Sequence, residues 1–540
     1  MLPEVTQFED TVTLISDTGI QFMDFALSLD LRKEPPGEFA PLTSGLLTRL
    51  LYNEEKDFYF YEPEPEKIEK TKPVFSLDMK SSLDLLDGLW LPIPFFRFMP
   101  PHRYDEGPSN WARMRLVKLP APDIDGNSHR LTLAFDSRVM PRQDGTAYLA
   151  PNQEDVSSGV AFRLACNIRD TRWFLDQGWV REWLLEVFRE GNAHRPRDEV
   201  DIEVRENHHL AHYLNLLSLM AQPVPAQQTN ARAKVDIPEL KVVANEVNGQ
   251  VKPIPVDLVL DVGNSRTCGI LIENHGQAGS GLKHNYVLEL RDLITPEHTY
   301  NQPFESRVEF AQANFGKDQF SVKSGRHDAF QWPTIARVGS EAGRLASRRR
   351  GTEGSTGLSS PKRYLWDENA YGHGWRFNCS YTKGDSEPYA TAAPFSHLIN
   401  ETGEALYSLD EDNRLPVFMP RYSRSSLMTF MLAEVLAQAL SQINSPAQRS
   451  RQGHTRTPRQ LNSIILTVPP GMPQAERSIL NERMLQAIGL VWKSLGWHAG
   501  EEDPHEEDVS SARTPIPSIR VEWDEASCGQ LVYLYTEVNE

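Results

Sequence analysis

Nine residues carry the strongest chemical signal in the chain: Asp261-Val-Gly-Asn-Ser-Arg-Thr-Cys-Gly269. A carboxylate opens the stretch. Gly263 and Gly269 permit close backbone approach, and Asn264, Ser265 and Thr267 place amide and hydroxyl groups between them. Successive backbone N–H groups in such a turn can form a nest for an anion. An Asp at the rim suits a hydrated Mg²⁺ that neutralises phosphate charge. These types in this order point to half of a nucleotide-phosphate site. The plainer alternative is an ordinary hairpin with a polar turn.

The elements that must position these groups are short. Val256 to Leu260 is an apolar run of strand length, and Ile270 to Ile272 is a second one. Two such runs joined by a turn rich in Gly, Asn and Ser predict a β-hairpin. Other phosphate and nucleophile motifs are absent: the sequence has no G-x-x-x-x-G-K-[ST] and no G-x-S-x-G. His208, His209 and His212 fall in a stretch of helical pattern, and His208 and His212 share a face at i, i+4. That spacing suits a metal pair, but His209 stands where the HExxH glutamate would be and no third ligand is evident, so packed or solvated histidines are expected.

The totals exclude several classes. The chain has 540 residues, a formal net charge of −18 and 39% hydrophobic residues, enough for real cores in several domains. The acidic balance argues against general nucleic-acid binding and against a polybasic membrane anchor. The four cysteines, Cys166, Cys268, Cys379 and Cys528, are far apart and form no CxxC, so neither a zinc site nor a disulfide framework is indicated. A reducing cytoplasm fits that usage. The first residues lack a basic n-region, and no run of about 18 apolar residues suggests a transmembrane helix.

Before the hairpin, residues 1–220 read as an α+β module without a catalytic constellation. Ile20 to Leu31 fits strand or short helix equally. Leu42, Leu46, Leu47, Leu50 and Leu51 have helix spacing within Phe39 to Tyr52. Glu54 to Pro73, with its Glu-Pro repeats, reads as an exposed charged loop that starts on the aromatic tetrad Phe58 to Tyr61. Pro92 and Pro94 break any long helix in the apolar stretch Leu83 to Met99. Leu131, Leu133 and Phe135 alternate as in a half-buried strand, as does Val160 to Ile168. Asp170 to Phe188 predicts one helix. Ala221 to Pro255, rich in Pro, Gln and charge, predicts a linker.

After the hairpin, Gly351 to Gly357 reads as a flexible surface loop. Ser425 to Leu440 predicts an amphipathic helix with a Ser cap, Leu461 to Val468 a buried strand stopped by Pro469-Pro470, and Gln474 to Ile488 a helix closed by Gly489. Glu501 to Asp508 reads as an acidic loop, Ile519 to Val521 as a short strand and Glu525 to Val538 as a last helix.

In this order the landmarks resemble the actin-like ATPase superfamily, which includes actin, sugar kinases and the DnaK-type chaperones. Asp261 to Cys268 resembles its phosphate-1 loop. Thr467-Val-Pro-Pro470, Arg477 and Ala487-Ile-Gly-Leu490 resemble the chaperones' T-V-P-A strand and following helix, and Asp524-Glu-Ala-Ser-Cys528 resembles their N-E-P-T-A. Pro333-Thr334, Gly339 with Ala342, and Lys362-Arg363 fall in the matching order. Leu258 to Gly269 also resembles the L-V-L-D-V-G-N-S-R-T-C-G signature of the bacterial SrfB virulence-factor family, whose N-terminal module is similar to residues 1–250.

The resemblance implies an α/β fold: an actin-like first lobe with an RNase H-like mixed sheet over 256–540, preceded by the α+β module (1–220) and the linker (221–255). It also implies roles. Asp261 would hold Mg²⁺ through water. Gly263, Asn264, Ser265 and Arg266 would wrap the phosphates of ATP, with a hydroxyl from Ser265 or Thr267. Lys362 would approach the γ-phosphate, and Glu525 would orient the metal or the attacking water. A surface lysine and a helix N-terminal charge are the plain readings of the last two. Arg266, Pro470 and Ala526 depart from the chaperone pattern. No second D-x-G-G-G-T hairpin and no adenosine motif follow, so the resemblance implies the N-terminal half of such an ATPase, with a second lobe encoded separately or missing. Three functions follow: a chaperone-like or assembly ATPase when completed by that lobe, a non-catalytic protein-interaction module on the same scaffold, or a small-metabolite kinase, the last disfavoured because no substrate constellation follows the hairpin.

Overall fold

A computed structural model describes the chain apart from residues 42–44, 65–66, 100–102, 106, 142–147, 166–167, 221–233, 246–251, 277–282, 350–354, 382–386, 499, 506–513, 525–526, 528–529, 531–536 and 539–540. It is a mixed α/β structure built on two groups of sheets.

The first group begins with Ile20–Leu27, which pairs antiparallel with His129–Asp136; Ala112–Lys118 and Trp90–Pro92 continue that sheet. All but one residue of Ile20–Leu27 are buried, which is why no period shows in its sequence. Met23, Phe25 and Leu27 enter the N-terminal core, while Ile20 and Phe22 face a second cluster with Leu293, Phe315, Phe330 and Trp332. A five-stranded sheet lies beside it in the order Thr11–Ile15, Glu239–Val243, Ala161–Leu164, Phe95–Met99, Arg103–Tyr104. Glu239–Val243 falls within the stretch expected to be linker. It runs parallel to Thr11–Ile15 and antiparallel to Ala161–Leu164, with Leu240 and Val242 buried.

Other expectations for this half also change. Phe39 to Tyr52 contributes strands Gly37–Pro41, Leu47–Arg49 and Leu51–Asn53 rather than a helix. Glu54 to Pro73 contains the strands Phe58–Glu64 and Lys67–Thr71, paired antiparallel, rather than a loop. The single helix expected from Asp170 is two, Ile168–Leu175 and Gly178–Gly191. The second buries Trp179, Trp183, Leu184 and Val187 against His208–Ser218.

The second group is a six-stranded sheet. Five of its strands run in the order Asn285–Val287, Arg266–Glu273, Ile254–Val262, Arg459–Val468, Ser518–Asp524, with Phe304–Glu305 pairing to the turn end of Arg266–Glu273. The first three are antiparallel neighbours, and the last two run parallel to Ile254–Val262. Along the central strand, Val256, Leu258, Leu260 and Val262 are buried, and Asp257, Val259 and Asp261 are half-buried on the other face. The buried face packs on helix Ser426–Asn444, which lies against Gln474–Ser494.

Helix Ser426–Asn444 is buried nearly all round rather than amphipathic. It is the one helix among the described residues long and apolar enough to cross a membrane, and 89% of its apolar window is buried in the fold. It also carries Glu434, whose carboxylate accepts from Trp332 Nε1 at 2.8 Å, Arg337 Nη1 at 2.9 Å and Gln438 Nε2 at 2.9 Å. Its first free N–H, from Ser426, is capped by Ser423 Oγ at 3.0 Å; Ser425, the expected cap, instead donates to Leu365 O. The second helix does not close at Gly489 but continues to Ser494. Gly489 is there because Tyr407 packs against its Cα side.

The two groups are joined by buried polar contacts as well as apolar ones. Asp136 accepts from Phe330 N at 2.8 Å, Arg291 Nη2 meets Asp24 Oδ2 at 2.6 Å, and Arg449 Nη1 donates to Thr13 Oγ1 at 3.1 Å.

Candidate functional site

The expected hairpin is present. Asp261 pairs with Cys268 and Val262 with Thr267, leaving Gly263 to Arg266 as the turn. The turn closes through Gly263 N–H donating to Arg266 O at 3.0 Å. A Cβ on Gly263 would stand 2.5 Å from that same oxygen, so this turn needs glycine for closure. Gly269 serves packing instead: it is buried, and a Cβ there would press on Leu288 and Leu260. Asn264, Ser265 and Arg266 are exposed and Thr267 is buried. The backbone N–H groups of Asn264 and Ser265 have no partner among the described residues.

Asp261 is the last polar residue of the central strand before the turn. Its Oδ1 accepts from Thr467 Oγ1 at 3.1 Å, across the parallel pairing that sets Asp261 beside Thr467. Burial pushes the Cys268 thiol above its ordinary range, and the Asp261 carboxylate adds to the effect, so this cysteine stays protonated and poorly nucleophilic at neutral pH.

Lys362 belongs to the short 3-10 helix Pro361–Tyr364 and reaches the hairpin from a distant part of the sequence. It is 9% exposed, and its ammonium donates to Val262 O at 2.7 Å, directly beneath the turn. The fold therefore brings Asp261, the Gly263–Thr267 turn and Lys362 together. Glu525 lies outside the described residues. Its neighbour Asp524 ends the edge strand in register with Val468, and its carboxylate accepts from Ser527 N at 2.8 Å.

Three groups at this end of the sheet are given no site role by the sequence alone, although Thr467 and Asp524 fall within its landmarks. Thr467 has its hydroxyl on Asp261. Asp524 ends the strand beside it. Ser306, from the segment following Phe304–Glu305, is buried under the turn and bonded to it. Thr467 carries a local signal, since it closes a buried strand before a Pro-Pro stop. Ser306 carries none, because its contacts are set by pairing between segments 40 residues apart. Of the other landmarks, Thr334 is tied to Glu434, and Gly339, at φ +61°, lies close against Phe304; both serve packing.

His208 and His212, whose i, i+4 spacing would suit a metal pair, are packed side chains, as expected. His212 is buried with Nδ1 3.2 Å from Ser82 Oγ, and His208 stacks on Phe75 at 4.2 Å between ring centres. Among the described residues, no group of three or more His, Cys, Asp or Glu side chains is arranged to hold a metal ion.

Chemically, the turn offers N–H donors without a partner among the described residues and a nearby ammonium, which suit an anion, next to a half-exposed carboxylate, which suits a hydrated divalent cation. No curated protein matches the chain. The family model for virulence factor SrfB matches residues 1–540, and the chain belongs to that family.

Proposed function

We propose that the hairpin Ile254–Val262 with Arg266–Glu273 is one jaw of an Mg-ATP site of the actin-like kind, in a virulence-associated protein with a chaperone-like or assembly role. One observation carries the reading. A three-strand antiparallel meander is followed by two strands parallel to its first member, and the polar turn, Lys362, Thr467 and Asp524 gather at one end of that sheet. This is the arrangement the resemblance implies for a first lobe.

In this reading Asp261 holds Mg²⁺ through water, and the turn's N–H groups with Lys362 take the phosphate charge. Ser265 supplies the free hydroxyl, because that of Thr267 is committed to Ser306. The turn is open to solvent, so an opposing set of ligands from a second lobe completes the site, and the chain alone binds weakly. The cytoplasm, where ATP is available, is the compartment that goes with it.

Amide hydrogen exchange with and without millimolar Mg-ATP tests the proposal. Protection is expected in the 260–269 peptide, dependent on Mg²⁺ and lost in Asp261→Ala and Lys362→Met. Protection confined to other peptides, or binding unaffected by either substitution, would refute it.

A further inference from the structure

We infer that Ser306 is the positioning residue of this turn: it aims the loop's N–H donors and ties them to the segment that carries Lys362. The inference rests on the phosphate-site reading above. Ser306 is 2% exposed and uses every polar group it has. Its N–H donates to Ser265 O at 3.0 Å and its carbonyl accepts from Ser360 N at 2.6 Å. Its Oγ donates to Gly263 O at 2.7 Å and lies 2.9 Å from Thr267 Oγ1. A serine has one hydroxyl proton, and here it goes to Gly263 O. Thr267 must therefore be the donor in the second contact.

The consequence follows from peptide geometry. In a trans peptide the C=O and the next N–H point in opposite directions. Holding the Gly263 carbonyl inward turns the Asn264 N–H outward, and holding the Ser265 carbonyl inward turns the Arg266 N–H to the opposite side. Ser306 thus sets the direction of the Asn264 and Arg266 N–H groups, on either side of Ser265, without touching a ligand itself. Through its own carbonyl it also fixes Ser360, two residues before Lys362, whose ammonium returns to Val262 O at 2.7 Å. Turn and lysine are referenced to one residue. Without it, the donor array and the cation would move independently, and a phosphate would have to order them at the expense of affinity.

Hydrogen exchange on the full chain tests this with Ser306→Ala, Thr267→Val and the hydroxyl-preserving Ser306→Thr. In Ser306→Ala, without nucleotide, the 260–269 peptide should exchange about tenfold faster, as expected for loss of one to two buried hydrogen bonds, while helix Ser426–Asn444 stays as slow as in the parent. Mg-ATP protection of the turn should then need about tenfold more nucleotide. Thr267→Val should do the same to a smaller extent, and Ser306→Thr should restore both. If Ser306→Ala fails to fold, Thr267→Val decides. A turn that exchanges unchanged in the folded variants, or Mg-ATP protection retained in full by them, overturns the role of Ser306 alone. Absence of any Mg-ATP response in the parent overturns the phosphate reading and this inference with it.

Discussion

Gly489→Ala is the substitution on which local pattern and packing disagree most. Gly489 sits within helix Gln474–Ser494, where alanine would ordinarily stabilise by about 1 kcal/mol. Here a Cβ would stand 2.7 Å from Tyr407 Cζ and closer still to the hydroxyl. Tyr407 cannot easily withdraw, since it is 8% exposed and its hydroxyl donates to Gln486 O at 3.3 Å on the same helix. Overpacking of this kind costs about 1–3 kcal/mol. The tight contact puts the cost near the upper end, so the net effect should be a loss of about 1–2 kcal/mol after the propensity gain. Urea unfolding with a constant m-value would measure it. The decisive measurement is the same substitution in a Tyr407→Leu background. With the ring removed, the clash disappears and Gly489→Ala should become neutral or stabilising by up to about 1 kcal/mol, a coupling of about 2 kcal/mol or more. If Gly489 instead served as a left-handed helix terminator, its replacement would cost the same in both backgrounds. That equality, or a stabilising effect in the parent, would refute the packing account.

Two further predictions concern buried charge. Glu273 and Arg459 are both fully buried and meet at 3.2 Å, with Tyr286 donating to Glu273 Oε1 at 3.0 Å. Glu273→Met or Arg459→Met alone should cost about 3–5 kcal/mol in chemical unfolding, and the double substitution markedly less than the sum; strict additivity would count against the pair. Burial, with Arg181 next, lowers His209 to about 4, and burial, with His208 next, lowers His212 to about 4. Between these values and about 6.5 the unfolded chain binds protons that the folded chain does not. Stability is thus complete above pH 6.5 and lost as pH falls, by up to about 1.4 kcal/mol per pH unit for each histidine. Unfolding midpoints between pH 7 and 5 should flatten in His209→Gln/His212→Gln, and an unchanged slope in that variant would contradict the assignment.

The parts of the fold visible in the sequence are those in which one face is buried and the pairing is local. The central hairpin is the best case, because Val256, Leu258, Leu260 and Val262 alternate with half-buried residues and the turn chemistry follows at once. His129–Asp136 shows a similar alternation in sequence, with Leu131, Leu133 and Phe135 at every second position, although it proves buried along its whole length. The leucines of Phe39 to Tyr52 mislead: their spacing suits a helix, but Gly37–Pro41 is claimed by Phe75–Leu77 and Leu47–Arg49, pairings that no local period encodes. The Glu-Pro text after Tyr61 reads as loop because charged and proline residues in a strand pair imitate a linker. At the candidate site, Asp261 and the turn were legible from residue types. The approach of Lys362 depended on resemblance, and Ser306 could be found only once the strands were paired.

The strand Glu239–Val243 constrains the order in which the molecule can assemble. It lies between Thr11–Ile15 and Ala161–Leu164, so the N-terminal sheet stays split until residue 243 has been synthesised. Thr11–Ile15 in particular finds its backbone partner 228 residues later, at Glu239 for Thr11. Contacts of that separation are slow to form and leave an unpaired strand edge exposed while the ribosome works. The first 220 residues, however well they pattern as a module, are therefore not a self-sufficient folding unit. A polypeptide ending there would present two open edges where the finished protein has a continuous sheet, and its characteristic failure would be intermolecular strand pairing rather than simple unfolding.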